Sequence, residues 1–283
     1  MINTSGELLS RYYFRHPIFI VGTGRSGTSV LHRALGEHPR IYSISGESPF
    51  VSQIGEFMCR YENSEIKDYY IKSLQFPKKY LYDSFRRLCL ESAIGSKYGL
   101  IIILKSLMLR RISIVRNRYW CAKTFPTFES YQGLITLFPT AKFIYIFRNG
   151  LDVVQSRSRF AGFRKSEFSS HCSVWAQSIN KYDYLTNVPS AIHIRHEELL
   201  VTPAQVLKRV YAFVGLEENP KPLDFLANTI VHPLDKPTEK GVKVKEIFLK
   251  RQPAFMTWTS EQRELFKKIC GDAMASLGYE IPF

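Results

Sequence analysis

The segment Gly22–Ser29, with the sequence GTGRSGTS, contains residue types that bind anions. It follows Ile18–Val21, a short apolar run typical of a strand buried on both faces, and it precedes apolar residues with helical spacing. Glycines let backbone N–H groups approach a ligand, and the N-terminus of a helix favours negative charge. The segment therefore predicts a site for a phosphate-like group, with a plain strand-to-helix connection as the alternative.

Gly22 and Gly27 have the spacing of the P-loop in enzymes that bind nucleoside triphosphates, but Thr28 replaces the usual lysine. The chain has a cation within the loop instead, at Arg25. Its guanidinium is planar and permanently charged, which suits a bound oxyanion. The loop is therefore expected to hold a phosphate-like ligand without being an ordinary ATP site.

One charged residue at another strand end is a candidate for further chemistry. Glu47 follows the extended segment Ile41–Ile44. It is a candidate general base, because ligands of doubly wound folds bind beyond the carboxyl ends of strands. The alternative is that Glu47 is a carboxylate at the start of a helix, where negative charge is favoured. Lys123 directly follows Tyr119–Ala122, another predicted strand.

A second strand-to-helix unit has a cation at the strand end. Arg148 follows the predicted strand Lys142–Phe147, and Ser156 lies two turns into the next helix. These two side chains are expected to clamp a second phosphate. The alternative for Arg148 is a surface ion pair with Asp152, four residues further on.

The elements that must position these residues alternate between short apolar strands and amphipathic helices. This pattern predicts an α/β fold with a P-loop-like central parallel sheet flanked by helices. Residues 50–118 are expected to form a helical insertion, and residues 1–283 a single domain, because the chain has no repeat and no long linker. Residues 219–250 lack periodicity and are predicted to be a loop. Lys240 within them either helps to cover an anion or lies in a solvated stretch.

The composition of the 283 residues limits the classes of partner. With 39 Lys and Arg against 25 Asp and Glu, the net charge is +14, which favours anionic partners or reflects a basic surface. The five cysteines are scattered without a CxxC pair, which indicates reduced core thiols. The chain shows no signal peptide and no apolar run of the roughly 20 residues that span a bilayer. A cytoplasmic location is therefore expected, and no metal site is expected because no acidic metal-binding pair is evident.

These motifs together resemble sulfotransferases that use 3′-phosphoadenylyl sulfate (PAPS). PIFIVGTGRSGTS resembles their 5′-phosphosulfate loop, and FIYIFRNGLDVVQS resembles their 3′-phosphate motif. HPRIYSISGES is similar to the segment with the glutamate base in tyrosylprotein and related Golgi-type sulfotransferases, and AKTFP to the stretch with a transition-state lysine. The resemblance covers about residues 17–280 and is weaker over 50–118 and 219–255.

The resemblance implies in-line transfer of a sulfuryl group from PAPS to a hydroxyl acceptor. It implies that Arg148 and Ser156 hold the 3′-phosphate, that Glu47 is the base, and that Lys123 and Arg25 neutralise charge on the leaving oxygen. His196 stands where the tyrosylprotein branch has a tyrosine near adenine, and Lys240 is a candidate for that branch's loop lysine. The residues implied for the 5′-phosphosulfate are Gly24, Arg25, Ser26, Gly27, Thr28 and Ser29.

Three other functions remain possible from the sequence. A P-loop kinase or ATPase is disfavoured by Thr28 and by the lack of a clear metal-binding aspartate. A protein that binds nucleic acid or another polyanion is favoured only by the charge. A non-catalytic PAPS-binding module would keep Arg148 and Ser156. The predicted partners are PAPS and a hydroxyl-bearing small molecule, lipid, glycan or peptide, without nucleic acid.

Overall fold

A computed structural model describes residues 16–65, 67–74, 78–94, 119–163, 165–228, 230–231, 242–243 and 253–283. The described strands are β1 (His16–Val21), β2 (Ile41–Glu47), β3 (Tyr119–Lys123), β4 (Lys142–Phe147), β5 (Ala191–Arg195), β6 (Ile230–Val231) and β7 (Val242–Lys243). The described α-helices are α1 (Thr28–Gly36), α2 (Pro49–Glu62), α3 (Lys67–Leu74), α4 (Lys78–Ile94), α5 (Phe128–Leu137), α6 (Gly150–Arg159), α7 (Phe168–Tyr182), α8 (His196–Val201), α9 (Pro203–Val214), α10 (Pro220–Asn228) and α11 (Ser260–Ser276). Short 3₁₀ helices span Asp183–Asn187 and Ala254–Thr257.

Five strands form the central sheet in the order β2-β3-β1-β4-β5. Both β1 and β2 pair with β3 in parallel. The residues Ile18–Val21 of β1 are fully buried, as are Phe143, Ile144 and Ile146 of β4. Strands covered on both faces need such continuous apolar runs, and the run KFIYIF becomes a strand with the predicted bounds. The α/β fold with a central parallel sheet flanked by helices is confirmed.

By its internal contacts, the described chain divides into two compact units. One unit consists of residues 16–21, 29–144 and 188–191, and the other of residues 22–28, 145–187 and 192–283, within the described ranges. The organisation of residues 1–283 as a single domain stays a prediction.

In the first unit, α2 and α5 pack with their backbones in close contact. A Cβ atom at Gly133 would overlap the Gly55 carbonyl, so glycine is required for this approach. The Ser130 hydroxyl donates to the Ser52 carbonyl at 2.9 Å. The helix pair supports the end of β3, because the Ser52 and Thr124 hydroxyls lie 2.5 Å apart in the buried interface.

In the second unit, α7 packs against α6 and α11 around a core rich in aromatic side chains. Trp175 and Phe266 are fully buried, and the Trp258 indole donates to the Gln155 side-chain oxygen at 2.5 Å. Thr259 caps α11 reciprocally with Gln262, in a capping box. This core fixes α6, the helix that follows Arg148.

Two predictions about local structure need correction. The extended segment predicted as Ile41–Ile44 is longer than expected, because β2 continues to Glu47. The segment 219–250 is not a structureless loop, since it contains α10, β6 and β7. Asn219 begins α10 by accepting the Lys221 N–H at 3.1 Å, a local cap that hydrophobic periodicity does not register.

The predicted helical insertion is described as far as Ile94, where α2, α3 and α4 account for most of it. Residues 95–118 and Lys240 lie outside the described residues. The described residues include no helix long and apolar enough to cross a membrane. All five cysteines are buried and free of disulfides.

Candidate active site

The loop predicted to bind an anion joins β1 to α1 through two residues in the left-handed backbone region. Arg25 has φ +80° and Gly27 has φ +91°. A non-glycine residue in this region is strained by about 1–2 kcal/mol, and such strain is concentrated at functional sites. Ser26 between them is fully buried, and its hydroxyl has no hydrogen-bond partner among the described residues. The loop thus contains a buried hydroxyl that is available to a ligand.

The side chain of Arg25 connects this loop to α6. Its Nε donates to the Ser156 Oγ at 3.1 Å, and its guanidinium lies over the Phe160 ring, 4.6 Å from the centroid. Burial, and secondly the charge of Arg148, lower the pKa of Arg25. The residues predicted from the first and the second phosphate motifs are therefore neighbours within the second unit.

Arg148 is held on two sides. Its Nη1 donates to the Arg25 carbonyl at 3.3 Å, and its Nη2 donates to the Asp152 carboxylate at 3.1 Å. Its side chain is only 11% exposed, and its Nε has no partner among the described residues. The ion pair considered from the sequence is present, and one buried donor of the same side chain remains available for an anion.

The backbone on either side of Arg148 is fixed by polar contacts. The Trp175 indole donates to the Arg148 carbonyl at 3.2 Å. Asn149 caps α6 by accepting the Leu151 N–H at 2.9 Å, while its own N–H donates to Glu197 at 3.0 Å. The direction of the Arg148 side chain is therefore set by α6, α7 and the start of α8.

His196 packs against the loop as a neutral ring. It is 8% exposed, and its Nδ1 has no partner among the described residues. Burial, and secondly the charge of Arg148, lower the pKa of His196 to about 3, so the imidazole is uncharged at neutral pH. A Cβ atom at Gly27 would overlap the His196 ring. The contact with the loop is direct, and a contact with adenine stays a prediction.

Arg157 is a further cation beside the loop that sequence reasoning missed. It is 8% exposed, and its guanidinium lies 4.4 Å from the centroid of the Phe163 ring. Its Nη1 lies 3.6 Å from the position that a Cβ atom of Gly24 would take. The only signal in the sequence is that Arg157 directly follows Ser156, which does not distinguish it from Arg159 on the same helix.

The first unit brings together Glu47, Lys123 and Ser29. The Lys123 Nζ lies 3.1 Å from the Glu47 Oε1 and donates to the Ser29 Oγ at 3.0 Å. The side chain of Lys123 is 10% exposed and that of Glu47 is 55% exposed. A shift in register along β2 places Glu47 opposite Lys123. Glu47 is thus the last residue of a strand and pairs with a lysine, whereas α2 begins after Ser48.

The backbone of Lys123 is also fixed. The Ser48 N–H donates to the Lys123 carbonyl at 2.8 Å, and the Thr124 N–H donates to the Ile20 carbonyl at 3.1 Å. An exposed carboxylate beside a buried ammonium can accept a proton from a hydroxyl, while the ammonium stabilises an oxyanion.

The match to a known family covers most of the chain, since residues 17–220 match the family model described as the sulfotransferase family. The chain belongs to the sulfotransferase family. It is 22% identical, over 71% of its length, to a protein-tyrosine sulfotransferase of Drosophila melanogaster, of which the match covers 38%. The chain spans less than two fifths of the length of the curated relatives it matches.

Two solved sulfotransferase structures share the fold. The sulfotransferase domain from the curacin biosynthetic pathway is 18% identical, with a TM-score of 0.51, and the match covers 95% of this chain and 100% of that domain. Mouse sulfotransferase SULT7A1, complexed with PAP, is 15% identical, with a TM-score of 0.51, and the match covers 98% of this chain and 92% of that protein. At these identities the likeness establishes the fold.

The sites predicted from the sequence fall into two groups in this sulfotransferase. The second unit contains a group with Gly24, Arg25, Ser26, Gly27, Thr28, Arg148, Ser156 and His196, and the first unit contains Ser29, Glu47 and Lys123. Lys240 is outside the described residues. Within those described residues, no group of His, Cys, Asp and Glu could hold a metal ion.

The donor set of the second unit fits a phosphorylated ligand. Its guanidinium groups belong to Arg25, Arg148 and Arg157, and it offers unpaired donors at the Ser26 hydroxyl and at the Nε of Arg148 and Arg157. Arginine recognises phosphate through such planar, charged donors. The group therefore has the chemistry that a doubly phosphorylated donor such as PAPS requires.

Proposed function

We propose that this sulfotransferase transfers a sulfuryl group from PAPS to a hydroxyl acceptor. The observation that supports this donor best is the contact between the two phosphate motifs, in which Arg25 bonds to Ser156 and Arg148 bonds to the Arg25 carbonyl. A P-loop enzyme for ATP needs one phosphate site with a lysine, whereas this arrangement provides arginines from two motifs.

The roles of the residues that bind PAPS are assigned from the hydrogen-bond donors that they offer. Arg148 and Ser156 bind the 3′-phosphate, with the unpaired Nε of Arg148 as the main contact. Arg25 and the backbone N–H groups of Ser26–Ser29 bind the 5′-phosphosulfate at the N-terminus of α1. When bound, PAPS would supply a sulfuryl group attached to an oxygen of its 5′-phosphate, with PAP as the leaving group. In the same proposal, His196 packs near the adenine ring and Lys240 contacts an anionic group of PAPS.

Glu47 and Lys123 act on the acceptor and on the leaving oxygen. Glu47 accepts the proton of the acceptor hydroxyl, because a neutral hydroxyl is a poor nucleophile and the carboxylate is exposed enough to meet it. Lys123, which already donates to Ser29 at the start of α1, donates to the oxygen on which charge develops. Arg25 neutralises charge on the same oxygen.

The comparisons support PAPS as the donor and a hydroxyl as the acceptor. The mouse enzyme with this fold is complexed with PAP, and the Drosophila relative is a protein-tyrosine sulfotransferase, whose acceptor is a phenolic hydroxyl. Five buried thiols are compatible with the reducing cytoplasm expected for this chain.

Calorimetric titration with adenosine 3′,5′-bisphosphate (PAP), ATP and 5′-AMP tests the donor. The wild-type chain is expected to bind PAP more tightly than either other nucleotide. Arg148→Ala removes a charge-assisted hydrogen bond worth about 1.5–3 kcal/mol, so PAP should bind roughly 10- to 150-fold more weakly. Arg159→Ala, which removes an exposed arginine from the same helix, is the matched control and should bind PAP like the wild type.

Two results would reject the proposal. Equal or tighter binding of ATP would return the loop to the kinase or ATPase class. Binding of none of the three nucleotides, together with salt-dependent binding of a polyanion, would favour a polyanion-binding protein.

A further inference from the structure

Among the described residues, Arg157 is a buried cation without a carboxylate partner. It forms no salt bridge among the described residues, and its Nε has no hydrogen-bond partner there. Its guanidinium lies over the face of the Phe163 ring, which attracts a cation but does not neutralise its charge. Taking a charge out of water without pairing it is costly, so such an arginine is typical of a site that receives an anion.

The position of Arg157 indicates which part of the site it serves. Its Nη1 lies against Gly24, where the missing side chain leaves the loop open to the guanidinium. Burial, and secondly the charge of Arg25, lower the pKa of Arg157. Arg148, in contrast, contacts Asp152 and the Arg25 carbonyl.

The three arginines Arg25, Arg148 and Arg157 have more positive charge than the one carboxylate in the described part of the chain that pairs with them, that of Asp152, can neutralise. The charge of Arg25 interacts with those of Arg148 and Arg157. The carboxylate of Asp152 pairs with Arg148. Arg25 donates its Nε to a neutral hydroxyl, that of Ser156. Among the described residues, the positive charge that has no carboxylate partner therefore lies on Arg25 and Arg157.

We propose that Arg157 is a third donor-binding arginine, which binds the 5′-phosphosulfate together with Arg25. This inference rests on the proposed function and extends it by one residue. It also assigns the two neighbouring side chains of α6 to opposite ends of the donor, with Ser156 on the 3′-phosphate and Arg157 on the 5′ group.

The test compares three ligands that separate the two ends of the donor. PAP has both phosphates, 5′-AMP has the 5′-phosphate alone, and 3′-AMP has the 3′-phosphate alone. Dissociation constants are measured by calorimetry for PAP and by competition against PAP, at up to millimolar concentrations, for the two mononucleotides. The variants are Arg157→Gln, Arg157→Lys and the exposed Arg159→Gln as the matched control.

Arg157→Gln is expected to weaken PAP and 5′-AMP by the same factor, roughly tenfold to a hundredfold, and 3′-AMP by less than about twofold. Arg157→Lys keeps the charge but loses the planar fork and should fall between the two. Arg159→Gln should match the wild type. Without ligand, Arg157→Gln should melt at the same temperature as the wild type or higher, because it removes a buried cation that Arg25 repels.

Several results would overturn the inference. One is that Arg157→Gln binds PAP and 5′-AMP as tightly as the wild type. This holds also if the variant raises the KM of an acceptor, since Arg157 would then act on the acceptor and not on PAPS. Another is equal weakening of all three ligands with a lower melting temperature, which would make Arg157 a structural residue. If the wild-type chain does not bind PAP, the proposed function itself fails, which is distinguishable from these outcomes.

Discussion

Replacing Gly27 with alanine tests how closely the loop packs on His196. Gly27 has φ +91°, and a Cβ atom there would overlap the His196 ring. The left-handed conformation costs an alanine about 1–2 kcal/mol, and forcing a methyl group into a packed site costs about 1–3 kcal/mol more. Because His196 is 8% exposed, its ring has little room to move away. Gly27→Ala should therefore destabilise the fold by about 2–5 kcal/mol.

The assay is denaturant unfolding of four proteins: the wild type, Gly27→Ala, His196→Ala and the double variant. In the His196→Ala background the overlap is gone. Gly27→Ala should then destabilise the fold only by the cost of the left-handed conformation for alanine, about 1–2 kcal/mol. The coupling energy between the two substitutions should then be about 1–3 kcal/mol. PAP binding, measured in parallel, should weaken at least tenfold in Gly27→Ala, because the loop N–H groups move.

Gly271 provides the matched control for a glycine-to-alanine change. It lies within α11, and apart from the backbone of its own helix and its chain neighbours no described atom lies within 4 Å of the position of its Cβ. Gly271→Ala should stabilise the protein by up to about 1 kcal/mol, since alanine is the better helix former. The reasoning is refuted if Gly27→Ala costs less than about 0.5 kcal/mol, or the same in both backgrounds.

Two further predictions concern the base and the neutral histidine. Glu47→Gln should lower kcat about 10²- to 10⁴-fold with labelled PAPS and a screened hydroxyl acceptor. PAP affinity should stay within about threefold and stability within about 1 kcal/mol, because the Glu47 carboxylate is half exposed. Full activity would exclude Glu47 as the base. The pKa of His196 is about 3 when folded and 6.5 when unfolded, so stability is complete above pH 6.5 and falls as the pH drops towards 3. The loss should approach about 1.4 kcal/mol per pH unit between pH 6 and 5, and His196→Asn should remove that slope. An identical slope in the wild type and in His196→Asn, measured by unfolding at several pH values, would contradict the buried neutral ring.

The main strands and the motif spacings were predictable because they depend on local patterns. The run KFIYIF has no polar residue after Lys142 and can only be buried, so its strand was found with its bounds. Glycine spacing and the arginine within it are likewise local, which is why the loop could be predicted as an anion site from the sequence; that role stays a prediction. The segment 219–250 was missed in part because α10 begins with two prolines and a short apolar pattern, which resemble a loop.

Other features depend on which faces of the elements meet, and no short pattern contains that information. Arg157 and Arg159 are two residues apart on α6, yet the first is buried beside the loop and the second is exposed. This difference in burial depends on the packing of α6 against α7, which cannot be read from the sequence of α6 alone.

The sequence by itself determined the main strands of the central sheet, the glycine-rich loop proposed to bind an anion, and the family, because backbone propensity, burial and motif spacing are short-range properties. The tertiary structure alone decided that Arg25 bonds to Ser156 across 131 positions, that Lys123 bonds to Ser29 and pairs with Glu47, and that His196 is neutral. These properties arise when distant side chains are brought together and removed from water, since both the partner of a charge and the cost of keeping it depend on the folded surroundings.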